Sequence, residues 1–319
     1  MVTRRRFLQT VTSMAALAVP CPSFASNSKG KVRERKSKAT LTPFGLNHDE
    51  TMRFLLRDGK AWELKLLGTS AEITQRKGAR ITAYAFDCDV QINGTSRHLR
   101  REVGTQASFY EPWEIDGVRL WFDAVPCIFK DAGGFMLEKD WNVGFLCKPD
   151  HKARFVAQEA GMPICPEPVQ LWYPNDAGRI DIRQCYNGDD CWMGPYNGAE
   201  AHCGLDINMK AGTVLSAPIS VDDHYLFHST AAGFNNNRWR GIRRWPDGSE
   251  WWLQAHHLIQ MLVPERTPLK AGTPYATTAG VRVGSHQHTH FMFRVIDQGG
   301  DYLLDPWILF WEAFRQRHS

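Results

Sequence analysis

Two pairs of polar residues at even spacing constrain this chain more than any other feature: His202 with Asp206, and His288 with His290. On an extended strand, residues two or four apart project from one face, so each pair presents its side chains together. A four-residue step also fits one face of a helix. Gly204 inside the first pair and the Gly212-Thr213-Val214-Leu215 run after it argue instead for strand and turn. The second pair opens the run His288-Thr289-His290-Phe291-Met292-Phe293-Arg294-Val295, which alternates before turning aromatic and reads as a strand. Imidazole nitrogen and carboxylate oxygen are ligands that zinc favours. Three of them plus water make a reactive site rather than a structural one.

The rest of the chain reads as mainly β. Thr51–Leu56, Trp62–Leu66, Arg80–Phe86 and Val118–Phe122 alternate or run β-branched, with Asp58-Gly59 and Asn93-Gly94 as turns. Residues 41–163 are therefore expected to form a β-sandwich or small barrel of unknown role, with one short helix over 152–161. Residues 164–319 form a second β-rich region holding every candidate site residue. It closes with an amphipathic helix over 305–317, in which Trp307, Phe310, Trp311 and Phe314 fall at helical spacing.

The first 25 residues carry Arg4-Arg5-Arg6-Phe7-Leu8, an apolar stretch from Val11 to Val19 and small residues up to Ala25, which is the order of a twin-arginine export signal. The apolar stretch is too short to span a bilayer, and no transmembrane segment is expected. Removing the signal lowers the formal charge from +4 to +1. Residues 26–40 then hold six basic side chains against Glu34 alone and read as a basic disordered linker. The remaining body is slightly acidic, so a nucleic-acid partner is not favoured. Seven cysteines remain, and export to an oxidising compartment would permit three disulfides, with Cys185 and Cys191 as the best pair. No Cys-x-x-Cys pair exists, which argues against a structural zinc cage or a thioredoxin-like site.

Residues 165–297 resemble the lysostaphin/LytM-type zinc endopeptidases. The resemblance rests on His202-Cys203-Gly204-Leu205-Asp206 followed by Gly212-Thr213 and Ala217, on His257-Leu258 followed by Lys270-Ala271-Gly272, and on His288-Thr289-His290-Phe291. It implies a duplicated-hybrid-motif β-sheet fold, Zn2+ held by His202, Asp206 and His290, and His257 and His288 as the catalytic pair. Gln287, Thr289 and Met292 depart from the family pattern around the last motif.

The expected activity is that of an exported, periplasmic or secreted zinc metalloendopeptidase that hydrolyses peptide bonds of peptidoglycan. A non-catalytic, zinc-holding wall-binding or regulatory module of the same fold is the alternative, and a zinc peptidase acting on a secreted protein a third. His48, His98, His151 and His318 read as surface or satisfied core. His224, His228, His256 and His286 lie near the site in sequence without a motif of their own. The stretch 235–245, rich in Asn, Arg and Trp, reads either as a loop that lines a cleft and stacks on sugar or grips carboxylates, or as a solvated loop with one packed Trp.

Overall fold

A computed structural model describes residues 19–20, 30–77, 80–103, 111–125, 151–174, 195–196, 200–201, 204–228, 237–283 and 286–318. The protein is mainly β with one helix among the described residues. Its first strands are β1 (Val19–Pro20), β2 (Val32–Lys36), β3 (Thr42–Leu46), β4 (Thr51–Leu55) and β5 (Ala61–Lys77). They are followed by β6 (Arg80–Ile92), β7 (Thr95–Val103), β8 (Trp113–Ile115), β9 (Val118–Ala124) and β10 (Ala153–Glu159). Six of these form one sheet in the order β2-β4-β5-β6-β7, with β1 against β5, and four form a second in the order β3-β10-β9-β8. The hairpin turns are legible locally. Asn93-Gly94 and Asp116-Gly117 join adjacent strands with both central residues at positive φ, the backbone that a two-residue primed turn requires.

Past the two-residue strands β11 (Pro195–Tyr196) and β12 (Glu200–Ala201), the chain runs through β13 (Leu205–Asn208), β14 (Val214–Ser216), β15 (Asp223–Phe227) and β16 (Asn237–Arg244). Then come β17 (Glu250–Met261), β18 (Pro274–Thr278), β19 (Val281–Val283), β20 (His286–Asp297), β21 (Gly300–Leu304) and helix α1 (Trp307–His318). Nine of these strands build one sheet around β13-β20-β17-β16-β15. Trp239, Trp251, Leu253, Phe291, Phe293 and Val295, at odd-numbered positions of β16, β17 and β20, are fully buried and face the core. Burying each such side chain contributes roughly 1.5–3 kcal/mol.

That core is continuous from the first sheets to the last helix. Phe155 stacks between Phe44 and Phe122, and Trp121 meets Trp311 edge-on at 5.4 Å. Beneath lies a buried charge network. The Asp123 carboxylate is bonded by Arg101 and Arg154, and Arg101 also bonds Asp305, with all four side chains at most 4% exposed. Asp305 starts the helix. Its Oδ1 accepts the Trp307 N–H at 2.8 Å, while Pro306 occupies the first helical position, where its missing N–H costs nothing.

The structure corrects four local expectations. Residues 153–159 form strand β10 rather than a helix, because partners on both sides (β3 and β9) and burial of all but Glu159 outweigh local propensity. Residues 32–36, expected to be disordered, pair in parallel with β4. Their charge is met by carboxylates, Arg33 by Glu50 and Arg35 together with Lys38 by Asp297, so repulsion no longer keeps the segment open. Helix α1 is not amphipathic: Trp307 through Ala313 are buried on every side, Glu312 included. Residues 237–244, expected in a loop, are strand β16, where Trp239 takes the core face.

Among the described residues no helix is long and apolar enough to cross a membrane. Cys88 and Cys165 are buried free thiols, whereas Cys185 and Cys191 lie outside the described residues.

Candidate functional site

Antiparallel pairing of β13 with β20 sets the site. Its register puts Asp206 directly opposite His290 and Asn208 opposite His288, so both halves of the opening motif pattern meet on adjacent strands. Only the backbone of Asp206 is described, and His202, three residues before β13, lies outside the described residues. Gly204 is required here. A Cβ at this position would run into the Phe291 carbonyl oxygen and come within 2.7 Å of Cε1 and Nε2 of His290. Glycine lets this turn of chain press against the imidazole, a close approach that any side chain would block.

The third strand, β17, brings two more histidines by a break in its own regularity. Ala255 pairs with Trp239 and Leu258 with Asn237, so His256 and His257 together oppose Arg238 alone. This is a β-bulge, which re-aims side chains that strict alternation would send to opposite faces. His257 sits at φ 62°, a left-handed conformation unusual for a residue with a Cβ, and its carbonyl accepts the Ala279 N–H at 2.7 Å. The outcome is two imidazole pairs. His257 meets His288 with ring centroids 4.7 Å apart, and His256 meets His290 at 4.8 Å. His256, His288 and His290 are each less than a tenth exposed.

The histidine-bearing strands are held from behind. The ring of Trp172 lies 4.7 Å from Phe291, its Nε1–H donates to the Tyr275 hydroxyl at 3.1 Å, and Tyr275 stacks on Trp239 at 4.0 Å. Neighbours of the site histidines along β16 and β20 are thereby locked in an aromatic stack. Burial pushes the Tyr275 hydroxyl well above its ordinary range, so it stays protonated.

Of the sequence-level candidates, His257, His288 and His290 come together, with Asp206 at the facing register position. Among the described residues no group of three metal-capable side chains converges on one point. His256 belongs to the cluster and carried no motif. Its only sequence signal was the His256-His257 doublet, which no regular strand would place on one side. His224 is a core residue whose Nδ1 contacts the Thr267 carbonyl at 2.6 Å, and His228 is an exposed residue 4.0 Å from Glu265. His98 bridges Asp87 and Asp89, far along the chain in the first sheet, and the Asp89 contact raises its pKa.

No protein-family model and no curated protein matches the chain. Among solved structures it is similar to lysostaphin from Staphylococcus simulans, at 22% identity over 37% of this chain and 46% of that one, with a TM-score of 0.30. The chain thus spans less than half of that protein's length. It is similar also to the lysostaphin catalytic domain crystallized without phosphate, at 20% identity over 38% of this chain and 88% of that chain, TM-score 0.30. A zinc-containing peptidase from Vibrio cholerae aligns over 74% of this chain and 85% of its own, at 13% identity and TM-score 0.30. The likeness is loose, a resemblance to β-rich peptidase domains.

Proposed function

We propose that the chain is an exported zinc endopeptidase that cuts peptide bonds of bacterial cell-wall peptidoglycan. The observation that supports this reading best is the convergence of three motif elements far apart in sequence. One strand register sets the backbone of Asp206 opposite His290, and one bulge brings His257 against His288 and His256 against His290. Residues used only for packing need no such convergence of imidazoles on one face.

The donor set suits zinc: His202, Asp206 and His290 would hold it, and Gly204 leaves His290 the room to be approached. When bound, zinc lowers the pKa of a coordinated water toward ~7 and polarises a peptide carbonyl. The chain's own residues supply the rest. His257 and His288, edge to face at 4.7 Å, offer one neutral imidazole to accept a proton from the attacking water and another to hydrogen-bond the developing oxyanion. His288 is 2% exposed, and a water-poor setting strengthens its interactions.

Metal analysis and digestion of purified sacculi by the mature protein test the proposal. One zinc per chain and release of new peptide termini are expected, both lost in His290→Ala. Full activity in that variant refutes the assignment. Binding to sacculi without product would point to a wall-binding module instead. The export reading is checked by the N-terminus of the extracytoplasmic protein, expected at Ser26.

A further inference from the structure

The sheet face that carries the histidines continues into an arginine-rich patch. Pairing runs Tyr225 to Arg240 to Gln254 to Met292 in one row and Phe227 to Arg238 in the next, and Arg238 stands opposite the His256-His257 bulge. Neighbouring strands lie about 4.8 Å apart, so Arg238 and Gln254 are adjacent to the imidazoles.

Other cations of this face are neutralised: Arg294 by Asp301, Arg266 by Asp223, and Arg244 by Glu250. Arg238 and Arg240 have no carboxylate partner among the described residues. Among the described residues Arg238 makes no hydrogen bond or ion pair, and none of residues 229–236, which precede its strand, is acidic. Arg240 donates to the Tyr225 hydroxyl and is otherwise boxed in by aromatic rings, 4.6 Å from Trp252, 5.2 Å from Phe227 and 5.3 Å from Tyr225. Burial disfavours the charge on both guanidinium groups, yet arginine stays protonated, so each gains from an anion. A second observation points the same way. Gln254 is 1% exposed, and among the described residues its Nε2 is buried with no acceptor. Leaving a buried amide donor unmet costs about 1–3 kcal/mol, a cost that a bound acceptor removes.

We propose that Arg238, Arg240 and Gln254 form a carboxylate-binding subsite that anchors a peptide with a free carboxyl group beside the histidine cluster. Arg240, held rigid by its rings, sets the field. Arg238 makes the bidentate contact that planar guanidinium and carboxylate favour, and Gln254 donates a further hydrogen bond. This deepens the peptidase reading by naming the feature of the substrate that is gripped.

Titration calorimetry of the mature protein with soluble cross-linked peptides from sacculi, native or with their carboxylates converted to amides, tests the subsite. Mass spectrometry of the same samples scores peptide cleavage separately, so failure of the peptidase reading is seen independently. Native peptides are expected to bind ~10- to 100-fold more tightly than amidated ones, the effect of a charge-assisted hydrogen bond. Arg238→Gln should erase that preference and Arg238→Lys keep part of it. Gln254→Leu should weaken binding of the native peptides without lowering the melting temperature, a combination that a purely structural role would not produce. If Arg238→Gln fails to fold, the lysine and leucine variants carry the same comparison. Equal affinity for the two peptides, absence of binding to either, or a preference that survives these substitutions overturns the proposal, whether or not peptide is cut.

Discussion

Two buried polar clusters in this molecule behave as opposites. The Arg101–Asp123–Arg154–Asp305 network answers two guanidinium groups with two carboxylates under the junction of the first sheets and α1. The histidine cluster gathers four imidazoles, with one carboxylate position facing them across a strand pair, and it adjoins two arginines that no described carboxylate neutralises. A closed set of opposite charges holds elements in place. A set rich in donors of one kind is suited to taking something from outside. Burial alone does not separate the two, because His256, His288 and His290 are nearly as inaccessible as the four network side chains. Internal charge balance does.

That contrast can be broken by experiment. Asp123→Ala leaves Arg101 and Arg154 buried without their shared partner. It should cost about 3–5 kcal/mol in denaturant unfolding while activity per folded molecule stays unchanged. If stability holds and turnover falls, the network belongs to the site. His288→Ala should do the reverse, lowering kcat by about 10²–10⁴-fold in sacculus digestion with an almost unchanged melting curve.

Gly204→Ala probes the link between motif and geometry. Shifting His290 to admit a Cβ should lower both zinc content and kcat, the latter about 10²-fold, the effect expected of a misplacement near 1 Å. Wild-type activity in that variant would mean that the close approach is incidental.

The smallest effect concerns a thiol outside both clusters. Burial of Cys165 raises its pKa from 9.0 to about 12, and the thiol donates a hydrogen bond to the Glu167 carbonyl that only its protonated form can make. The fold therefore favours the neutral thiol. Its stabilising contribution is complete below pH 9 and fades as pH rises toward 12. Iodoacetamide at pH 8 should label Cys165 only as fast as the protein unfolds. Rapid labelling of the native state would place this region outside the rigid core.

Much of the architecture was legible locally, and the exceptions have a common cause. Strand alternation marked β4, β6, β9 and β20, and Asn93-Gly94 marked its hairpin. Residues 153–159 escaped because their conformation is dictated by sheet partners on both sides, one of them more than a hundred residues away. Residues 32–36 escaped because Asp297, which neutralises Arg35 and Lys38, arrives from the far end of the chain. In the site, His257, His288 and His290 were visible as motifs and Arg238 as part of an arginine-rich stretch read as a loop, whereas His256 carried no motif. A bulge is defined by a mismatch between two strands and has no signature in either one.

The sequence by itself determined the period-two pattern, the turns and the spacing of the polar pairs, because each depends only on neighbours along the backbone. Only the tertiary structure decided which histidines come together, which arginines lack a counter-charge among the described residues and which carboxylates meet Arg101 and Arg154. Those depend on register and desolvation, and both arise when strands remote in the chain come within 5 Å of one another.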